Sequence, residues 1–218
     1  MNLSKLLELA NDSGGTLYLM CVLLLVALTV IIDRSRYLLS MQQGGEALIA
    51  LLRNSSSGAP DGGLHVPPRY ADLPHARVIH AATLEPEGVG REVAAGHLDE
   101  ALMHEIPLLD RSLWMLDTAI TLAPLLGLFG TIIGMFNAFQ VLGDVQNGAG
   151  QITGGIAEAL VATASGLFIA MIGLVFFNWL NTRIRVIVHQ LETIKTMLLN
   201  RQFSGIAANV GMARLKAV

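Results

Sequence analysis

The sequence predicts an all-α membrane protein with three transmembrane helices, the second and third extended into a cytoplasmic helical bundle. Three observations carry this. Residues 13–32, 118–143 and 159–182 contain no Asp, Glu, Lys or Arg, giving uncharged runs of 20, 26 and 24 residues in a chain of 218. A helix crosses a bilayer with about 20 apolar residues. Hydrophobic residues make up 53% of the chain and charged ones 14%, where a soluble domain carries roughly 25% charged; mean hydropathy is +0.56. Apolar positions also keep a helical period beyond the first and third runs. This composition argues against a disordered chain, a nucleic-acid-binding module or a water-soluble globule.

Residues 1–15 are a short polar N-terminus, with Asn11, Asp12 and Ser13 suited to cap the helix that begins next. The first span is 16–32. Its apolar run is longer than a signal core and ends in Asp33-Arg34 without an A-x-A-like site, so it reads as a retained span. Leu38, Met41, Leu48, Leu51 and Leu52 continue the helix past the membrane. Residues 54–74 hold three Gly, four Pro and three consecutive Ser, the composition of an irregular linker. Residues 76–84 and 91–117 read as helices, the second kinked or interrupted at Pro107. Together 33–117 form a cytoplasmic helical region with its flexible linker at 54–74.

The second span is 118–142. Gly130 and Gly134 form a GxxxG, and with Gly127 they mark a face where helix backbones approach closely in lipid. Residues 143–155, with five Gly plus Asp, Asn and Gln, read as a short external loop. The third span is 156–180, with Trp179 at the cytoplasmic aromatic belt. In the C-terminal segment, 181–218, residues Ile184, Ile187, Leu191, Ile194 and Leu198 repeat at intervals of 3 and 4, so the third helix extends past the membrane and packs on other helices. Orientation comes from the basic residues. Of fourteen, seven lie in 33–117, six come after residue 182, and none lies in 143–157. The positive-inside rule therefore puts 33–117 and the C-terminus in the cytoplasm and the N-terminus outside.

One side chain stands out chemically. Glu158 is the only ionisable residue between Ile152 and Asn181, and charges inside spans are costly and mark function. On a helical wheel Glu158, Ala162, Ser165, Gly166 and Gly173 share an arc of about 100°, a stripe of small residues that suits a pore lining or a partner helix. A second reading stands beside it. Glu158 is about 31 Å from Trp179 along an ideal helix, close to the hydrocarbon thickness of about 30 Å, so it can equally be a solvated glutamate at the outer edge. Thr131 and Thr163 fit hydroxyls bonded to their own helix backbones. The single cysteine, Cys21, excludes an intramolecular disulfide and a thiolate metal site. The six histidines lack zinc spacing. Phosphate loops and nucleophile motifs are missing, so neither an enzyme nor a bound metal or organic cofactor is expected.

Residues 123–135, Ala-Pro-Leu-Leu-Gly-Leu-Phe-Gly-Thr-Ile-Ile-Gly-Met, resemble the signature of the MotA/TolQ/ExbB proton-channel family. So do 155–167, Gly-Ile-Ala-Glu-Ala-Leu-Val-Ala-Thr-Ala-Ser-Gly-Leu, with Asn178 downstream and Asp33-Arg34 after the first span. Three spans suit the ExbB/TolQ branch. The resemblance implies a multi-pass protein of the bacterial inner membrane, N-terminus periplasmic, that forms homopentamers in the bilayer around ExbD-like or TolR-like single-span partners. Protons are the coupling ion, and their flow works on a TonB-like or TolA-like protein. It maps the proton pathway onto Glu158, Thr131 and Thr163, and helix packing involves Gly127, Gly130, Gly134, Ala162 and Gly166. It leaves ExbB-like and TolQ-like systems both open, and a passive scaffold remains the reading from a different class. The family's usual proline in the third span is replaced here by Ile172, which implies a straighter helix with Gly173 supplying the flexibility.

Overall fold

The structure, a computed structural model, describes residues 15–55, 66–84, 89–140 and 148–215. Among them are five α-helices: α1 Thr16–Ser55, α2 Pro74–Thr83, α3 Arg91–Leu109, α4 Leu113–Gln140 and α5 Gly148–Leu215, with a 3-10 turn at Pro68–Tyr70 before α2. No strand occurs among the described residues. Three of the helices are long and apolar enough to cross a membrane, within Thr16–Asn54, Leu113–Gln140 and Thr153–Phe203. The protein is an all-α, multi-pass membrane protein.

The first and third helices extend beyond their spans as expected, the first running unbroken to Ser55, and only the second departs from expectation. The second begins only at Leu113. The predicted helix 91–117 is divided at 110–112 and not at Pro107, which lies inside α3. Pro107 removes the bond to the carbonyl of Met103, and Met103 is exposed, so that carbonyl can be solvated at little cost. The break falls where Ser112 takes φ 72°, the one positive φ outside glycine among the described residues. Arg34 donates from Nη2 to its Oγ at 3.1 Å and ties α1 to this turn.

Helix also replaces part of the loop expected over 143–155. Residues 148–155 belong to α5. Glycine costs a helix interior about 1 kcal/mol, which is why the composition reads as a loop. Gly155 instead serves contact: a methyl placed on it would stand 3.0 Å from the Ala138 Cβ. Residues 1–14, residues 56–65 of the 54–74 linker and 141–147 lie outside the described residues.

The chain divides into two compact units, Met1–Ser35 with Ser112–Leu180, and Arg36–Arg111 with Asn181–Val218. In the first, the start of α1 packs with α4 and with α5 around Met20, Ala123, Ala162 and Ile169. Its outward side chains are large and apolar, including Leu25, Leu125, Phe129, Ile132 and Phe136, and Cys21 is exposed among them. Such a surface is stable only in lipid or against other apolar helices.

The second unit is a four-helix arrangement of α1, α2, α3 and α5. Leu38, Met41, Leu48 and Leu52 of α1 are buried with Val78 and Ile79 of α2, Leu98 and Leu102 of α3, and Ile184, Ile187, Leu191, Ile194 and Leu198 of α5. All five repeat positions of α5 thus point inward. Each buried aliphatic contributes about 1.5–3 kcal/mol relative to water. Polar bonds fix the register: Lys195 pairs with Asp99, Arg91 donates to Asn200 at 2.9 Å, and Arg77 grips the buried Glu105 through two bonds of 3.0 and 2.9 Å.

Candidate functional site

The site is built on the seam between α4 and α5. Small residues let the two backbones approach until a single added carbon would collide. A methyl on Gly127 would lie 3.0 Å from the Thr163 Cα and 3.1 Å from the Ala162 carbonyl. On Gly130 it would lie 2.8 Å from the Ala162 Cβ, and on Gly134 2.9 Å from the Ala159 Cβ. At Gly166 the obstacle is the Ala123 carbonyl oxygen, a backbone atom that cannot swing aside. With Gly155 against Ala138 and Gly173 against Ile120, the paired numbers rise on one helix as they fall on the other, so α4 and α5 run antiparallel. Between membrane helices there is no hydrophobic drive, so this close van der Waals fit carries the association.

Gly173 has a different place from the one expected. It is buried in the seam against Ile120, and α5 is continuous helix through Ile172 and Gly173. Steric room for α4, more than flexibility, accounts for glycine there.

The two threonines also separate. Thr131 is half-buried, and its hydroxyl donates to Leu128 O of its own helix at 2.5 Å. Thr163 departs from the own-helix expectation: its hydroxyl crosses the seam and donates to Gly127 O at 3.0 Å. A helical carbonyl keeps a second lone pair, so Gly127 can accept this bond on top of its intrahelical one. Thr163 is thereby an interhelical tie at the tightest part of the seam. The hydroxyl proton is engaged there, leaving the oxygen's lone pairs as acceptors.

Glu158 is half-buried on α5, next to Ala159, which is buried against Gly134. Its carboxylate is therefore carried at the margin of the seam. On an ideal wheel Thr163 is about 140° round from Glu158, and Thr131 belongs to the other helix, so the three do not form one hydrogen-bonded cluster in the protomer. Sequence reasoning missed Ala123, Ala138, Ala159, Gly155 and Ile120 as seam partners. Their signal was present as small residues at intervals of 3, 4 and 7, but alanine is too common in membrane helices to stand out alone. Among the described residues no group of three or more His, Cys, Asp or Glu is placed to hold a metal.

These features define a polytopic helical membrane protein with one carboxylate set beside a close-packed helix pair. The MotA/TolQ/ExbB proton channel family matches residues 71–193. An ExbB-like biopolymer transport protein of Synechocystis sp. is 35% identical over 71% of this chain and 74% of its own. The Tol-Pal system protein TolQ of Pseudomonas aeruginosa is 32% identical over 68% of this chain and 65% of its own. The biopolymer transport protein ExbB of Neisseria gonorrhoeae is 37% identical over 38% and 40%. The chain belongs to the MotA/TolQ/ExbB proton channel family, in its ExbB/TolQ branch.

Proposed function

We propose that the chain is the channel-forming subunit of a proton-driven motor in the bacterial inner membrane, with Glu158 as the proton-carrying group. It works with an ExbD-like or TolR-like single-span partner and passes force to a TonB-like or TolA-like protein. The observation that carries this is Glu158 itself: the only ionisable residue between Ile152 and Asn181, half-buried beside the α4–α5 seam, in a member of a proton channel family. Five copies surround the partner helices, α4 and α5 lining the cavity and the first spans outside. The N-terminus is periplasmic; residues 33–117 and the C-terminus are cytoplasmic.

One charge moved through the membrane potential releases about 2.3 kcal/mol per 100 mV, several times thermal energy. That is enough to bias rotation or rocking of the partner helices between successive copies. Protonation of Glu158 removes the charge whose burial is costly and lets a partner helix pass it; deprotonation restores the charge and with it the barrier. Thr131 and Thr163 offer acceptor oxygens for water along the route. Transport across the outer membrane through a TonB-like protein is the primary reading. The relative named TolQ, 32% identical over 68% of the chain, favours envelope maintenance as the second. Rescue of a strain lacking one system and not the other separates them.

The test is Glu158→Gln, which keeps size and hydrogen bonding but not charge. It should assemble at wild-type levels and reduce partner-dependent uptake or envelope function to that of a strain lacking the gene. Thr131→Ala and Thr163→Ala should impair it less. Full activity in Glu158→Gln at matched protein levels refutes the proton-carrying role and leaves a passive scaffold.

A further inference from the structure

The most unusual polar group in the second unit lies away from the membrane spans, in its core. His75, in the first turn of α2, has no exposed surface. Its Nε2 is 3.2 Å from Gln190 Oε1 on α5. Gln190 commits its amide nitrogen to Gln42 O on α1 at 3.2 Å, so its oxygen is the acceptor and His75 must carry its proton on Nε2. The other ring nitrogen, Nδ1, is buried without a hydrogen-bond partner among the described residues. The ring also presses on α1 at Gly45, where any Cβ would collide with Nε2 and with Gln190 Oε1. A glycine inside a long helix, and beside another glycine, is otherwise hard to explain. The neighbouring Gly44 is packed in the same way by Leu73, the residue before α2.

We propose that His75 is an acid-sensitive latch, holding α2 against α1 and α5 while neutral and releasing it when protonated. A proton on Nδ1 would be a buried N–H without an acceptor on a ring without a counter-charge, a state that folded interiors reject. The charged groups around it are engaged elsewhere or exposed. On α1, Glu46 accepts from Gln42. On α5, Arg183 donates to Gln42 Oε1, and His189 and Glu192 are exposed. On α3, Glu105 is held by Arg77; on α2 itself, Arg77 and His80 are exposed. Burial accordingly pushes the ring down from 6.5 to about 4, opposed in part by the Gln190 bond.

Above pH 6.5 the ring is neutral in the closed and open states alike. Below it only the released ring takes a proton, so opening is favoured by up to tenfold per pH unit until about pH 4, where the closed ring protonates too. A ten-residue helix is too short to persist once released, so the latch acts on α2 as a whole. The inference does not depend on Glu158 or on proton conduction.

The experiment is hydrogen–deuterium exchange on the purified full-length protein in lipid nanodiscs, corrected for the intrinsic pH dependence of exchange. In the wild type, protection of residues 74–83 should fall by up to tenfold per unit between pH 6.5 and pH 5 and return on neutralisation. In His75→Gln, which can still donate to Gln190, it should be independent of pH. Flat protection in the wild type, or the same acid loosening in His75→Gln, overturns the latch. Should the variant fail to fold, nitrogen NMR of histidine-labelled wild type decides: a neutral ring protonated on Nε2 at pH 5.5 in the folded protein supports it, and a folded-state midpoint near pH 6.5 overturns it.

Discussion

Thr163 carries two roles that a single substitution would confuse. Its hydroxyl ties α5 to Gly127 O, a structural bond, while the proposed mechanism uses the same oxygen as an acceptor for water. Interhelical bonds of this kind contribute about 0.6 kcal/mol on average and up to about 1.7. Thr163→Val keeps the branched shape and loses the bond. It should cost roughly 1 kcal/mol in the thermal stability of the detergent-solubilised protein and reduce partner-dependent work, whereas Thr163→Ser should retain both. Loss of work in Thr163→Ser with stability unchanged would assign the methyl, and not the hydroxyl, the functional contact. Thr131 differs because its hydroxyl is satisfied within its own helix; Thr131→Ala leaves no seam contact broken. That distinction was invisible in the sequence, where both are simply threonines in an apolar run. Only the antiparallel register of the seam puts one hydroxyl opposite a foreign carbonyl.

At the level of elements, the spans and the α5 repeat were legible because their cause is local. Twenty or more residues without a charge, or apolar side chains at intervals of 3 and 4, have few structural outcomes. Boundaries were less legible where one residue type has two uses. Glycine at 154 and 155 reads as a turn but here belongs to α5, with Gly155 in close contact. Pro107 reads as a break but sits in α3 with a solvent-facing neighbour to absorb its cost, and the chain turns instead at Ser112. The latch around His75 was missed for a different reason. Its members, Gln42, Gly45, His75 and Gln190, are brought together by tertiary packing across more than a hundred residues. The α5 repeat invites a direct test. Ile187 and Leu191 have no exposed surface, and an unpaired carboxylate at either position costs several kcal/mol. Ile187→Asp or Leu191→Asp should sharply lower the amount of folded, assembled protein recovered from membranes by size-exclusion chromatography. Wild-type recovery of both would mean that this unit is dispensable for assembly.

The whole molecule presents more apolar surface than three helices can hide. Only 28%, 28% and 22% of the most apolar windows of the three spans are buried, so each span has a large remainder for lipid or for other copies. A single carboxylate-bearing helix cannot enclose a pathway, and we expect a closed ring of five. Native mass spectrometry of the detergent-purified protein should show pentamers; monomers and dimers alone would contradict the ring.

Cys21, exposed on α1 and the only cysteine in the chain, turns the native protein into its own ruler. One spin label per copy places identical markers at the corners of a regular polygon, and a five-fold ring has two separations, side and diagonal, in a ratio of about 1.6. A square gives about 1.4 and a triangle a single distance. Pulsed electron resonance on the wild-type chain, with no residue replaced, therefore reads the symmetry of the assembly from the ratio of two peaks, whatever the ring's diameter.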